Sequence, residues 1–194
     1  MPKIVDHDAR RREIVAAVWA LIARRGLGAV TMRDLAAEAG YANGALAPYF
    51  HSKDEILQAA FQHAVESTNV RAEKAIGDAT GLVALRRLCH EIMPLDERRL
   101  LEARVVVAFW DRALHDPRMA AVHASAMDQW RQRMSQCLAQ ARAAGEIADD
   151  PRDEQSADTL LAALTGFQVN ALLVPHATTP ARQQAALDGL LAAL

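Results

Sequence analysis

The amino-acid sequence predicts an all-α protein of nine helices, with a three-helix N-terminal head followed by a helical bundle. Three observations carry that prediction. Hydrophobic residues make up 52% of the 194-residue chain, much of them Ala and Leu, which are strong helix formers. Apolar positions recur at helical spacing, and the alternation expected of strands is nearly absent. Helix-start and helix-stop residues punctuate the chain from end to end.

The first helix runs from about Asp8 to Arg25, with Ile14, Val18, Leu21 and Ile22 as its buried stripe and Gly26 as its stop. Thr31 is the N-cap of the second helix, and Val30 and Leu35 are spaced as a hydrophobic staple across it. Leu35, Ala36 and Ala39 form its apolar face, and Gly40 ends it as a left-handed residue would. A third helix restarts at Ala42-Asn43-Gly44-Ala45-Leu46 and closes at Tyr49-Phe50, with Pro48 expected to shorten or kink it. Ser52-Lys53-Asp54-Glu55 reads as a capping box opening a long fourth helix to about Ile76.

Gly77 to Gly81 is a linker. Leu82, Leu85, Leu88, Cys89 and Ile92 then give a fifth helix that ends at Pro94. Glu97 to Leu114 is the sixth, and Asp116-Pro117 opens a seventh that reaches Gly145. Ile147 to Asp153 is a polar loop. Ser156 to Leu173 is apolar and helical, and Thr179-Pro180 caps a last helix reaching Leu194. The expected division is a head at residues 1–55 and a bundle at 56–194, with the fourth helix running from one into the other.

Composition narrows the function classes. The formal charge is −2, so the whole chain does not advertise nucleic-acid binding. Residues 1–33 nevertheless carry seven basic side chains against three acidic ones. The two cysteines, Cys89 and Cys137, both fall in helical patterns, which argues for a reducing compartment and against a disulfide scaffold. No signal peptide and no apolar stretch long enough to span a bilayer is visible, so the expectation is a soluble cytoplasmic protein without a membrane partner. His90-Glu91 does not begin a zinc helix, because position 94 is proline. Phosphate-binding glycine loops, metal-spaced cysteines and Gly-x-Ser-x-Gly are absent, so no catalytic residue, metal site or cofactor is assigned.

Residues 31–57 are the most informative stretch. Ala36 and Gly40 lie four apart, and Leu46 follows six later. A small residue lets two backbones approach, Gly makes the corner, and Leu46 fills the angle. This is helix-turn-helix geometry, whose second helix enters a DNA major groove. The residues assigned to DNA contact are Thr31, Arg33, Ala42, Asn43, Gly44, Ala45, Tyr49 and Lys53. Asn can pair with adenine and alanine methyls can touch a thymine methyl. Gly44 permits close backbone approach, and Thr31 and Lys53 stand at helix N-termini that suit phosphate.

Thr31, Ala39-Gly40, Asn43-Gly44, Tyr49-Phe50, and Lys53 with Ile56-Leu57 together resemble the TetR family of bacterial transcriptional repressors. The run Glu102-Ala103-Arg104-Val105-Val106-Val107-Ala108-Phe109-Trp110, followed by Ala113-Leu114-His115-Asp116-Pro117, looks like its BetI-type subgroup. That subgroup is named after a choline-responsive regulator, which does not fix an effector for this chain. Two positions depart from the family pattern. Many members carry a small hydroxyl where this chain has Ala42 and an aromatic where it has Ala47, so the backbone contacts of those side chains are not carried over.

The resemblance implies a repressor that binds a near-palindromic operator in double-stranded DNA as a homodimer and is released by a small-molecule effector. Effector candidates in the bundle are Cys89, Met93, Phe109, Trp110, Met127, Trp130 and Phe167, each of which would otherwise be ordinary core. A cationic effector could be held by Trp110 and Trp130 through cation–π contact. Dimer-interface candidates in the last two helices are Leu160, Ala163, Leu164, Phe167, Ala171, Leu187 and Leu191, for which internal packing is the alternative. The competing reading is an all-helical small-molecule-binding protein or enzyme whose first three helices are only structural. An activator is a third possibility that the sequence does not separate from a repressor.

Overall fold

The computed structural model describes residues 7–42, 44–149 and 152–194. Eight α-helices account for most of them: α1 His7–Arg25, α2 Met32–Glu38, α3 Lys53–Ile76, α4 Gly81–Ile92, α5 Glu97–Ala113, α6 Pro117–Ala143, α7 Asp153–Leu173 and α8 Pro180–Ala192. A single 3₁₀ turn, Leu27–Ala29, joins α1 to α2, and the described residues contain no strand.

Most termini form as local chemistry dictates. Thr31 Oγ1 accepts from the Asp34 amide at 3.1 Å while the Asp34 carboxylate accepts from the Thr31 amide at 2.8 Å, a complete capping box. At the far end of α2, Gly40 adopts φ +76°, and the amides of Gly40 and Tyr41 donate to the carbonyls of Ala37 and Ala36. That is a full Schellman stop. Asp116, ahead of Pro117, and Thr179, ahead of Pro180, cap α6 and α8 with their side chains.

Three expectations differ from the structure. The Ser52 box is only half made: Ser52 Oγ accepts from the Glu55 amide at 3.1 Å, but the Glu55 carboxylate reaches past Ser52 to the His51 amide at 2.9 Å. The seventh α-helix begins at Asp153, three residues ahead of the expected Ser156. The expected nine helices are eight, because residues 44–49 form a chain of turns and no regular helix. Gly44 has φ +85°, outside the right-handed helical region, and Pro48 supplies no amide. The turns close through the amides of Ala45, Ala47 and Tyr49, which donate to carbonyls three residues back.

Two hydrophobic clusters hold the chain together. The first joins Ile14, Val18 and Ile22 of α1 to Leu35, Leu46, Phe50 and the start of α3, and continues into Val105 and Phe109 of α5 and Met119 of α6. The head therefore packs directly on the bundle, and the Phe61 and Phe109 rings stack with centroids 4.0 Å apart. Val30 and Leu35 are both buried, as a staple requires. The second cluster collects Leu85, Leu88 and Cys89 of α4, Met134 and Leu138 of α6, Leu160 and Leu164 of α7, and Leu187 and Leu191 of α8. Each such side chain contributes roughly 1.5–3 kcal/mol relative to an exposed one.

Candidate functional site

The helix-turn-helix region offers a small exposed face. Thr31, Arg33, Ala42 and Gly44 are exposed, while Ala45 and Tyr49 are half-buried. Asn43 lies outside the described residues. Leu46, at 2% exposure, fills the angle between the elements, as its spacing from Gly40 predicts. The Thr31 amide is already taken by Asp34, so a phosphate there would compete with that carboxylate. The hydrogen bonds from the Thr31 amide and hydroxyl hold the Asp34 carboxyl below the usual range, with Arg25 and Arg33 adding to the effect.

Lys53 plays a structural part in this region. Its Nζ donates to the carbonyls of Leu27, at 3.3 Å, and Val30, at 3.2 Å, fastening the 3₁₀ turn to the start of α3. Arg11, which the sequence reading left in the general basic segment, is placed more tellingly. Its guanidinium donates to the Tyr49 carbonyl and lies 4.3 Å from the centroid of the Phe50 ring. His7 and Tyr41 pack around the same Tyr49 ring. A segment that lacks a helix ladder is thus tied from outside by α1.

A second candidate site lies inside the bundle. Two small inner cavities of about 20 Å³ each share Val65, Ile92, Val106, Trp130 and Gln168. One adds Phe61, Trp110 and Met127, and the other adds Thr68, Arg99 and Glu102. At this size each has room for about one water. A cleft of about 680 Å³ between α3 and α6 opens to solvent and shares Phe61 and Val65 with the inner space. A larger surface groove of about 790 Å³ between α1 and α3 is lined by charges of both signs and does not shield a guest from water.

Of the effector candidates, Trp110, Met127 and Trp130 line the inner space. Cys89 and Met93 are buried in the second cluster, Phe109 stacks on Phe61 in the first, and Phe167 packs half-buried against the second. The two indoles are held by their N–H groups: Trp130 Nε1 donates to Asn69 Oδ1 at 2.8 Å and Trp110 Nε1 to His123 Nδ1 at 3.1 Å. Burial pushes the His123 imidazole below its ordinary value, which favours the neutral ring, and the Trp110 N–H pointing at Nδ1 makes that nitrogen the acceptor. Burial also pushes the Cys89 thiol up to about 12, with the Cys137 thiol adding to the shift.

The sequence reading missed the polar members. Glu102 is buried and receives two hydrogen bonds from Arg71, at 2.9 and 2.8 Å, and one from Arg98 at 3.3 Å. Arg71 also reaches Glu91 of α4 at 3.0 Å, so one α3 side chain clamps α4 and α5. Gln168 is buried on α7. The signal that could have found both is a lone polar residue inside an apolar helical face, Leu101-Glu102-Ala103 and Phe167-Gln168-Val169.

The proposed interface residues divide. Leu160, Leu164, Ala171, Leu187 and Leu191 are buried within the protomer, where α7 and α8 close the second cluster, and Ala163 and Phe167 are half-buried. Ala162, Leu173 and Val174 of the same region are exposed. Among the described residues, no helix is long and apolar enough to cross a membrane, and no group of three or more His, Cys, Asp or Glu could hold a metal ion.

Comparison with known proteins covers both halves. Residues 14–60 match the family described as bacterial regulatory proteins of the tetR family, and residues 83–194 match the BetI-type transcriptional repressor C-terminal family. The HTH-type transcriptional regulator PksA of Bacillus subtilis (strain 168) is 29% identical over 176 residues, 90% of this chain and 84% of that protein. BetI of Paraburkholderia xenovorans (strain LB400) is 25% identical over 123 residues, a match spanning 61% of this chain and 62% of that protein. Two solved structures superpose over most of the chain. A transcriptional regulator from Rhodococcus sp. Rha1 has a TM-score of 0.81 at 27% identity, with 94% of each chain covered. One from Saccharomonospora viridis, solved in complex with choline, has a TM-score of 0.85 at 25% identity, with 95% of each chain covered.

Proposed function

The chain belongs to the TetR family of DNA-binding transcriptional regulators, with a C-terminal region of the BetI type, and from that premise we propose a dimeric repressor released by a small organic cation. Residues 1–55 would hold the DNA, and residues 56–194 would take the effector and the second protomer. The setting would be the cytoplasm. The DNA contacts would come from Thr31, Arg33, Ala42, Asn43, Gly44, Ala45 and Tyr49, with Lys53 acting through the turn it fastens. A two-fold dimer would read a near-palindromic operator, its half-sites a helical turn or a multiple apart.

One observation carries the switch. Phe61, Ala64, Val65 and Thr68 of α3 line the inner cavities, and α3 begins three residues after the DNA-facing segment ends at Tyr49-Phe50. Cavities of about 20 Å³ cannot admit an organic cation without displacing a wall. A guest that fills them would displace part of the wall that α3 shares with α4, α5, α6 and α7, and a displaced α3 would carry the head with it. The effector then favours a geometry other than this one, which is the differential affinity that coupling demands. The aromatic walls, Phe61, Trp110 and Trp130, suit a cation. The choline bound by the Saccharomonospora viridis relative supports that class.

The test is a mobility-shift assay with the DNA upstream of the chain's own gene, with and without choline. Sequence-specific retention that choline weakens is the expected result. Specific binding that choline leaves unchanged would remove the cation, and no specific binding at low or moderate salt would remove the repressor reading.

A further inference from the structure

We propose that Gln168 is the polar anchor of the effector site, accepting a hydrogen bond from a hydroxyl or N–H donor on the organic cation. This rests on the effector reading above and adds a requirement on the ligand. Gln168 sits on α7 at 7% exposure and lines both inner cavities. Its Nε2 donates to the Ile92 carbonyl at 3.2 Å. That bond fixes which end of the amide is which, because two facing oxygens would repel. Ile92 is the last residue of α4, so its carbonyl has no helical donor to take it. The amide oxygen, Oε1, is left buried with no hydrogen-bond partner among the described residues.

The nearby indole and guanidinium donors have partners of their own, and the hydroxyls of Thr68 and Thr165, which also line the cavities, make no hydrogen bond to Gln168 Oε1. The Trp130 and Trp110 indoles donate to Asn69 and His123. Arg99 donates to the His90 carbonyl at 2.5 Å and to Asp96 at 2.7 Å. Val65, Ile92, Val106, Leu161 and Leu164 offer no side-chain donor. A buried carbonyl oxygen is costly to leave unpaired, so it marks where a donor arrives with a guest. The aromatic faces would take the cationic centre while Gln168 reads a donor close to it.

The experiment compares choline with propyltrimethylammonium, in which a methyl group replaces the hydroxyl. Binding is read by calorimetry on the full-length wild-type protein and on Gln168→Leu, with melting curves to check folding. Choline is expected to bind wild type at least about tenfold more tightly than its analogue, and Gln168→Leu to bind the two alike. Equal binding of both to wild type would overturn the Gln168 assignment and leave the cation class standing. Binding of neither would overturn the cation class and the anchor together. The wild-type comparison decides the matter even if the variant does not fold. A preference for choline that persists undiminished in folded Gln168→Leu would also overturn the assignment.

Discussion

Arg11 ties the segment between α2 and α3 to α1 through the Tyr49 carbonyl and the Phe50 ring. Arg11→Ala is expected to weaken operator binding about tenfold or more while leaving the salt dependence of binding as in wild type. A salt slope reduced by about 0.9 would instead mean that Arg11 neutralises a phosphate. Gly44 has φ +85°, and an added Cβ there would meet no atom within 4 Å among the described residues beyond its chain neighbours, so the cost of Gly44→Ala is backbone strain. A loss of about 1–2 kcal/mol in urea unfolding is expected. His63, His90 and His123 are all held below their ordinary value by burial. Their unfolded forms take up protons near pH 6.5 while the folded forms resist, so below that pH the unfolded state binds more protons. Stability should be fully present above about pH 6.5 and fall as pH drops beneath it, a slope that urea midpoints at pH 5.5 and 7.5 will show. His123→Asn, which keeps an acceptor for Trp110, should flatten part of that slope.

At the scale of elements, α3 is the part on which the others depend. Its first turn faces the head, its middle stacks Phe61 on Phe109, and its Arg71 grips Glu91 of α4 and Glu102 of α5. Phe61→Ala should lower stability by about 3–5 kcal/mol in urea unfolding, since it removes a fully buried ring beside an existing cavity. The segment between α2 and α3 shows how much local chemistry can decide. Gly44 and Pro48 stand in plain view in the sequence, and together they prevent the regular helix that the motif leads one to expect. The caps at Thr31, Asp116 and Thr179 were legible for the same reason, because cap and capped amide are two or three residues apart.

In the whole molecule, we propose that the outer faces of α7 and α8 take the second protomer. Their innermost leucines close the protomer core, so a second protomer would meet the outer residues, among them Ala162, Leu173 and Val174. Leu173 is 74% exposed, and Leu173→Glu should convert a dimer to a folded monomer in sedimentation velocity. An unchanged dimer would place the interface elsewhere. The inner cavity was partly legible. Trp110 and Trp130 stood out as rare aromatics, yet Cys89, Met93 and Phe109 looked equal to them, because apolar periodicity marks a buried face without saying whether space lies behind it.

The helical class, most helix boundaries and the helix-turn-helix motif could be read from the chain residue by residue. Those features depend on neighbours within a turn or two, where side-chain type and spacing act directly on the backbone. It took the packed helices to bring Arg71 to Glu102 across 31 positions and Gln168 to the Ile92 carbonyl across 76, and to set α3 as a wall of the inner cavities. Such pairings depend on how helices cross, and that is fixed by the sum of their packing rather than by any local pattern.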